Sequence, residues 1–184
     1  MKMKRGVKGG RSDNVDRRKV LKLAAAGGVS AIASPWTFQS SRAATKTIKI
    51  GMITPETGPI AAFGEPSKWV AEGVSKHLGD GIMIAGEKHR VEILNRDSQS
   101  NPNRASEVAT QLINNDKIDI MVASSTSDTT NPVADQCELA GMPCITSDDP
   151  WQAWFFGRKG DPKKGFEWTY HFFWGFDMVA NMFA

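Results

Sequence analysis

A chain of 184 residues, 40% of them hydrophobic, holds enough apolar material for one packed domain, which excludes a disordered polymer as the default state. Its formal charge of +3 conceals two opposed parts: residues 1–43 carry ten Lys/Arg against two Asp, and the remainder carries 13 basic against 18 acidic residues, a net of −5. Nucleic acid is excluded as a partner of that remainder, which lacks the clustered cations needed to displace counterions from phosphates.

The first 43 residues have the order of an export signal: a cationic stretch, an apolar stretch from Val20 to Ala33, and the small-residue exit Ser41-Arg42-Ala43, with cleavage expected before Ala44. The run is shorter than the roughly 20 apolar residues that span a bilayer and is rich in Gly, so a cleaved signal is expected rather than an anchor. Within it, Asp16-Arg17-Arg18-Lys19-Val20-Leu21-Lys22 resembles the twin-arginine signal. That resemblance implies passage through the Tat translocase on Arg17 and Arg18, and a periplasmic destination.

Downstream, Lys46 to Ile53 is a short isoleucine-rich run bounded by Pro55 and Gly58, as expected of a buried first strand. A helix follows, with Val70, Gly73, Val74 and Leu78 on one face, ending at Gly79-Asp80-Gly81. A second strand is expected over Arg90 to Asn95. Asn101 is placed as an N-cap with Pro102 at the first helical position, and Ala105, Val108, Ala109, Leu112 and Ile113 continue that helix to Asn114-Asn115. Ile118 to Ala123 reads as a third strand, Val133, Ala134 and Cys137 as one face of a third helix, and Pro143 to Thr146 as a fourth strand. Thr169 to Phe176 is strand-like. This alternation predicts an α/β fold, a parallel sheet with helices on both faces.

Ligands of such sheets sit beyond the carboxyl ends of the strands, which directs attention to three loops: Thr54 to Gly64, Ser124 to Thr130 and Thr146 to Trp151. All are rich in Ser, Thr, Gly or Asp, with Phe63 and Trp151 nearby. Hydroxyls and helix N-terminal amides suit a carboxylate, and Asp148 or Asp149 suits an ammonium. The same residue types also serve as plain caps and turn formers. The aromatic stretch after Trp151 reads either as a ligand lining or as packing at a junction.

The segment Ile50-Gly51-Met52-Ile53-Thr54-Pro55-Glu56-Thr57-Gly58-Pro59-Ile60-Ala61-Ala62-Phe63-Gly64 resembles the opening of the type 1 periplasmic binding proteins of the branched-chain amino acid class. The likeness continues through Asp97 to Ala105, through Ser124-Ser125-Thr126-Ser127 and through Gly141-Met142-Pro143-Cys144-Ile145. It implies a two-lobed receptor that hands a small polar solute, such as an amino acid or amide, to the permease subunits of an ABC importer. It also implies that Ser124, Ser125 and Thr126 contact the solute carboxylate, and that Thr146, Ser147 and Asp148 add polar contacts. Phe63 and Trp151 lie beside these loops. The family's loop after the fourth strand is neutral and small, whereas this one reads Ser147-Asp148-Asp149-Pro150-Trp151.

The expected organisation is a signal over 1–43, an N-terminal ligand-binding lobe over 44–150, and a crossover or hinge segment over 151–184 leading to a second lobe largely absent from this chain. No cofactor, metal or catalytic residue is expected. Two cysteines are too few for a metal site, and no Gly-x-Ser-x-Gly, phosphate-loop or His-Glu-x-x-His motif occurs. In an oxidising compartment Cys137 and Cys144 are either a disulfide or two buried thiols. A two-lobed sensor without an importer, or an α/β enzyme, are the alternatives.

Overall fold

The computed structural model describes residues 46–184; the expected leader, with Arg17 and Arg18, lies outside the described residues. In chain order the elements are β1 (Lys46–Thr54), α1 (Glu65–His77), β2 (Ile82–Ile84), β3 (Glu87–Asp97), α2 (Pro102–Gln111), β4 (Ile120–Ser124), α3 (Ser127–Ala140), β5 (Cys144–Ser147), α4 (Trp151–Gly157), β6 (Thr169–Phe172) and α5 (Phe176–Met182). One sheet holds all six strands in the order β2-β3-β1-β4-β5-β6.

Every neighbouring pair is parallel except β2 with β3. The sheet is therefore mixed, mostly parallel, with one antiparallel edge strand that the sequence reading did not contain. That reading opened the second strand at Arg90, and it opens at Glu87. The hairpin turns on Ala85 and Gly86, both at positive φ (50° and 82°), the backbone of a tight two-residue β-turn whose twist matches that of its strands. Residues 151–184 contribute α4, β6 and α5, with β6 pairing along β5 from Cys144↔Thr169 to Ser147↔Phe172.

The parallel strands run outward from β1 in both directions, β3 to one side and β4 to the other, so the crossovers reverse at β1. Such a reversal parts the loops that follow the two adjacent strands and leaves a crevice at their carboxyl ends.

The core lies between the sheet and the adjoining helices α2 and α3. Ile53, Val108, Leu112, Met121, Val133 and Cys137 are fully buried there, with Leu94 packed against them. Helix α2 begins as its sequence demands: the Asn101 side chain accepts from the amides of Asn103 and Arg104 at 2.9 and 3.1 Å, and Pro102 follows. Helix α3 ends at Gly141, whose left-handed φ of 67° lets its amide and that of Met142 turn back to the last carbonyls.

On the opposite face, Ile93 and Asn95 of β3 point away from the Leu94 side and meet α1. The side chains of α1 that meet them are Lys68, Ala71, Glu72 and Ser75, across a cavity of about 550 Å³. The apolar stripe expected to anchor this helix is turned outward: Val70 and Val74, and Trp69 beside them, are exposed. Helix α1 exists, but Ser67 is its only buried side chain.

Cys137 and Cys144 are both free and buried in the core. The neighbouring Cys144 thiol, and burial after it, push the Cys137 thiol well above its ordinary range. Among the described residues no helix is long and apolar enough to cross a membrane.

Candidate functional site

The loop after β1 is held by the end of β3. One oxygen of Asp97 accepts from the amides of Glu56 (2.8 Å), Thr57 (3.2 Å) and Gln99 (2.7 Å), and the other accepts from the Thr57 hydroxyl (2.6 Å). Burial opposes the charge of this carboxylate, but the Thr57 hydroxyl and the three amides outweigh it and hold its pKa below the usual value. Ser100 adds a second tie: its hydroxyl donates to the Thr57 carbonyl at 2.7 Å and accepts from the Ile60 amide at 3.2 Å. The Asp-Ser motif after the second predicted strand thus braces the first loop.

Two glycines make this bracing possible. Gly58 sits at φ +93° against Ser100, and a Cβ on Gly64 would lie 2.0 Å from the Pro55 carbonyl oxygen. Phe63, at the end of the short helical turn Ala61–Phe63, directly precedes this tight closure at Gly64.

The loops after β4 and β5 lie on that same rim, because the strands pair in register with Ser124 opposite Ser147. The Ser125 amide donates to the Ser147 carbonyl at 3.3 Å. Asp148 takes a left-handed backbone (φ 67°), which Asp tolerates better than bulkier residues, and its carboxylate accepts the Ser124 hydroxyl. Asp149 turns inward: only 3% exposed, it accepts from the Ser127 hydroxyl at 2.8 and 3.0 Å and from the Thr130 hydroxyl at 3.3 Å. Burial, partly offset by those hydroxyls and by His171, raises its pKa.

The loops enclose a cavity of about 480 Å³, lined by Phe63, Thr126, Asp148, Asp149, Phe173 and Trp174 among others. This volume lies within the usual range for small-molecule pockets, about 300–1,000 Å³. Of the residues named from sequence, Phe63, Thr126 and Asp148 therefore line one space. Ser124 is engaged with Asp148 behind that wall, and Ser125 is fully buried. The hydroxyls of Ser125 and Thr126 have no hydrogen-bond partner.

Thr146 and Trp151 stand elsewhere. The Thr146 hydroxyl is fully buried between the Tyr170 carbonyl (3.2 Å) and His171 Nδ1 (2.8 Å). Trp151 lines a neighbouring cavity of about 260 Å³ with Trp154, Phe155, Phe166 and His171, and its indole nitrogen donates to Asp177 at 3.2 Å. Ser147 contributes its backbone carbonyl, to Ser125.

His171 lines the smaller cavity and bonds to the backbone of Asp149, in the wall of the larger one. Its Nε2 contacts the Asp149 carbonyl, which can only accept, so the network assigns a proton to Nε2, while the single Thr146 hydrogen lies between the Tyr170 carbonyl and Nδ1. Burial lowers its pKa against the pull of the Asp149 carbonyl and of both carboxylates. The ring stacks on Trp154 at 5.0 Å, and the Arg158 guanidinium lies over Trp154 and Phe166 at 4.6 and 3.9 Å. Arg158 Nε also donates to Asp135 at 2.7 Å, fastening α4 to α3. Among the described residues no three His, Cys, Asp or Glu side chains converge as a metal centre requires.

Sequence reasoning named Asp149 with Asp148 but did not place Phe173 and Trp174 as cavity walls. The aromatic run was visible, but nothing local says which rings face the crevice.

The chain matches known proteins over the region just described. The sequence profile of the periplasmic binding proteins aligns with residues 47–184. The Leu/Ile/Val-binding protein homolog 3 of Brucella melitensis is 32% identical over 118 residues, which are 64% of this chain and 31% of that protein. This chain thus spans about a third of the length of the curated relatives it matches. Among solved structures, an extracellular ligand-binding receptor from Rhodopseudomonas palustris HaA2 superposes with a TM-score of 0.55 at 28% identity, over 74% of this chain and 34% of its own. The branched-chain amino acid transporter substrate binding protein LivJ of Streptococcus pneumoniae, in complex with isoleucine, superposes with a TM-score of 0.57 at 24% identity, over 71% of this chain and 34% of its own; at that identity the likeness shows the fold. With the profile covering residues 47–184 and the sheet matching one lobe of the type 1 fold, the chain belongs to the periplasmic binding protein family.

Proposed function

We propose that this protein is the extracytoplasmic solute-binding component of an ABC importer, that it captures a small polar solute such as an amino acid, an amide or a related compound, and that it presents the solute to permease subunits of the inner membrane. One observation carries the reading: four segments far apart in sequence, after β1, β4, β5 and β6, converge at the carboxyl ends of the strands around a cavity lined by both polar and aromatic side chains. The names of the relatives support it, since the Brucella melitensis protein is described as Leu/Ile/Val-binding and the Streptococcus pneumoniae structure holds isoleucine. Export on the Arg17-Arg18 signal would place the protein in the periplasm. Binding rather than catalysis fits His171, whose two ring nitrogens are both occupied, by Thr146 and the Asp149 carbonyl. In this family's architecture a second lobe closes over the solute, so a single lobe supplies only part of the capture.

Thermal-shift and tryptophan-fluorescence screening of the full chain against amino acids, amides, short-chain amines and urea-like compounds tests the reading. At least one hit is expected, and Phe63→Ala and Thr126→Ala should each weaken it. A hit indifferent to both substitutions would place binding outside this cavity.

A further inference from the structure

The charge arrangement of the cavity narrows the solute class further than the family does. Two adjacent acids, Asp148 and Asp149, belong to its wall, Asp148 turned to the space and Asp149 buried behind it; among the described residues neither forms an ion pair and no Lys or Arg lines the space. The two acids do different things. Asp149 is bonded to the hydroxyls of Ser127 and Thr130, both in the opening turn and a half of α3. It therefore occupies the end of α3 where amide dipoles and hydroxyls would otherwise receive an anion from outside. Asp148 accepts one internal bond, from Ser124, and is otherwise presented to the cavity. Ser124 spends its only hydrogen on that bond, so it has none for a ligand carboxylate.

The remaining walls are suited to a cation. Phe63, Phe173 and Trp174 offer ring faces, and the rings of Phe173 and Trp174 lie 5.1 Å apart. Thr126, whose hydroxyl is buried and has no hydrogen-bond partner among the described residues, lines the same space as Asp148. We propose that the solute is anchored by an ammonium group, paired with Asp148 and framed by Phe63, Phe173 and Trp174, and that it offers no carboxylate to α3 because Asp149 already fills that position. The inference rests on the cavity being the solute site, and it makes the ligand an amine or quaternary ammonium compound in place of the ordinary amino acid.

Three compounds with one apolar body separate the cases: isoamylamine carries only an ammonium, leucine carries both charges, and isocaproate carries only a carboxylate. Each is titrated into the full chain, with tryptophan fluorescence and thermal shift as readouts. Isoamylamine is expected to bind most tightly, leucine more weakly, and isocaproate at least about tenfold more weakly than the amine, since it brings a like charge to Asp148. Asp148→Asn should weaken isoamylamine by roughly ten- to a hundredfold. Asp149→Asn should narrow the gap between leucine and the amine by vacating the negative charge at α3. Isocaproate or leucine binding as tightly as the amine, an amine affinity untouched by Asp148→Asn, or no response to any of the three, overturns the inference. The ranking on the unmodified chain gives this answer even where a variant fails to fold. If leucine or isocaproate is preferred and Phe63→Ala abolishes it, the cavity stands as the solute site and only the ammonium assignment falls. If every response survives Phe63→Ala, the site itself is elsewhere.

Discussion

Replacing Asp97 by Ala removes the brace of the first loop, and the consequence follows from its bonds. Its carboxylate accepts four hydrogens, from the amides of Glu56, Thr57 and Gln99 and from the Thr57 hydroxyl, at 2.6 to 3.2 Å. A hydrogen bond to a charged group contributes about 1.5–3 kcal/mol, but these donors belong to a partly exposed loop and recover water when the carboxylate is gone. The net cost is therefore expected near 2–3 kcal/mol rather than four times the single-bond value. Urea unfolding followed by tryptophan fluorescence measures it. The pH dependence gives an independent check. Because the folded pKa of Asp97 lies below its unfolded value of 3.8, its contribution is complete above that value and is lost as pH falls through the folded pKa. Asp97→Asn should flatten that acid limb. A loss below about 0.5 kcal/mol for Asp97→Ala would refute the claim that this residue holds the loop, and with it Phe63.

Leu112 is fully buried between α2 and the sheet, and Leu112→Ala should cost about 2–5 kcal/mol by calorimetry or urea unfolding, a value under 1 kcal/mol meaning that the core is loosely built there. His171 has a folded pKa lowered by burial, so its contribution is complete above the unfolded value of 6.5 and declines as pH falls through it, while the unfolded chain takes up a proton that the folded one resists. His171→Gln should therefore reduce the loss of melting temperature between neutral and mildly acidic pH, and an unchanged profile would contradict a folded pKa depressed by burial. Non-reducing mass spectrometry of exported protein should show a two-proton deficit if Cys137 and Cys144 close into a disulfide in the periplasm, and two free thiols if the core keeps them reduced. Replacing Arg17-Arg18 by Lys-Lys should leave the precursor in the cytoplasm, and continued export would dispose of the twin-arginine route.

The sequence by itself determined the features that local chemistry encodes. The apolar run of β1 and the Asn101-Pro102 start of α2 follow from backbone preference and side-chain reach over a few residues, and both are present. The motifs around Gly58, Gly64 and Asp97 were legible as loops of a solute receptor, although their shared task of bracing Phe63 was not. The β2–β3 hairpin escaped notice because Ala85 occupies a left-handed position that its side chain does not advertise. The outward stripe of α1 escaped for another reason: hydrophobic periodicity reports that a helix has two faces, not which one meets the sheet.

Tertiary structure alone decided the site. Phe63, Thr126, Asp148 and Trp174 are brought together by the lateral order of strands and by the Ser124–Ser147 register, contacts of long sequence separation that no local pattern contains. It also gave two neighbouring aspartates opposite fates, one turned to the cavity and one sealed under the hydroxyls of α3. Which carboxylate is open to the cavity depends on what surrounds it, and those surroundings exist only once the chain has folded.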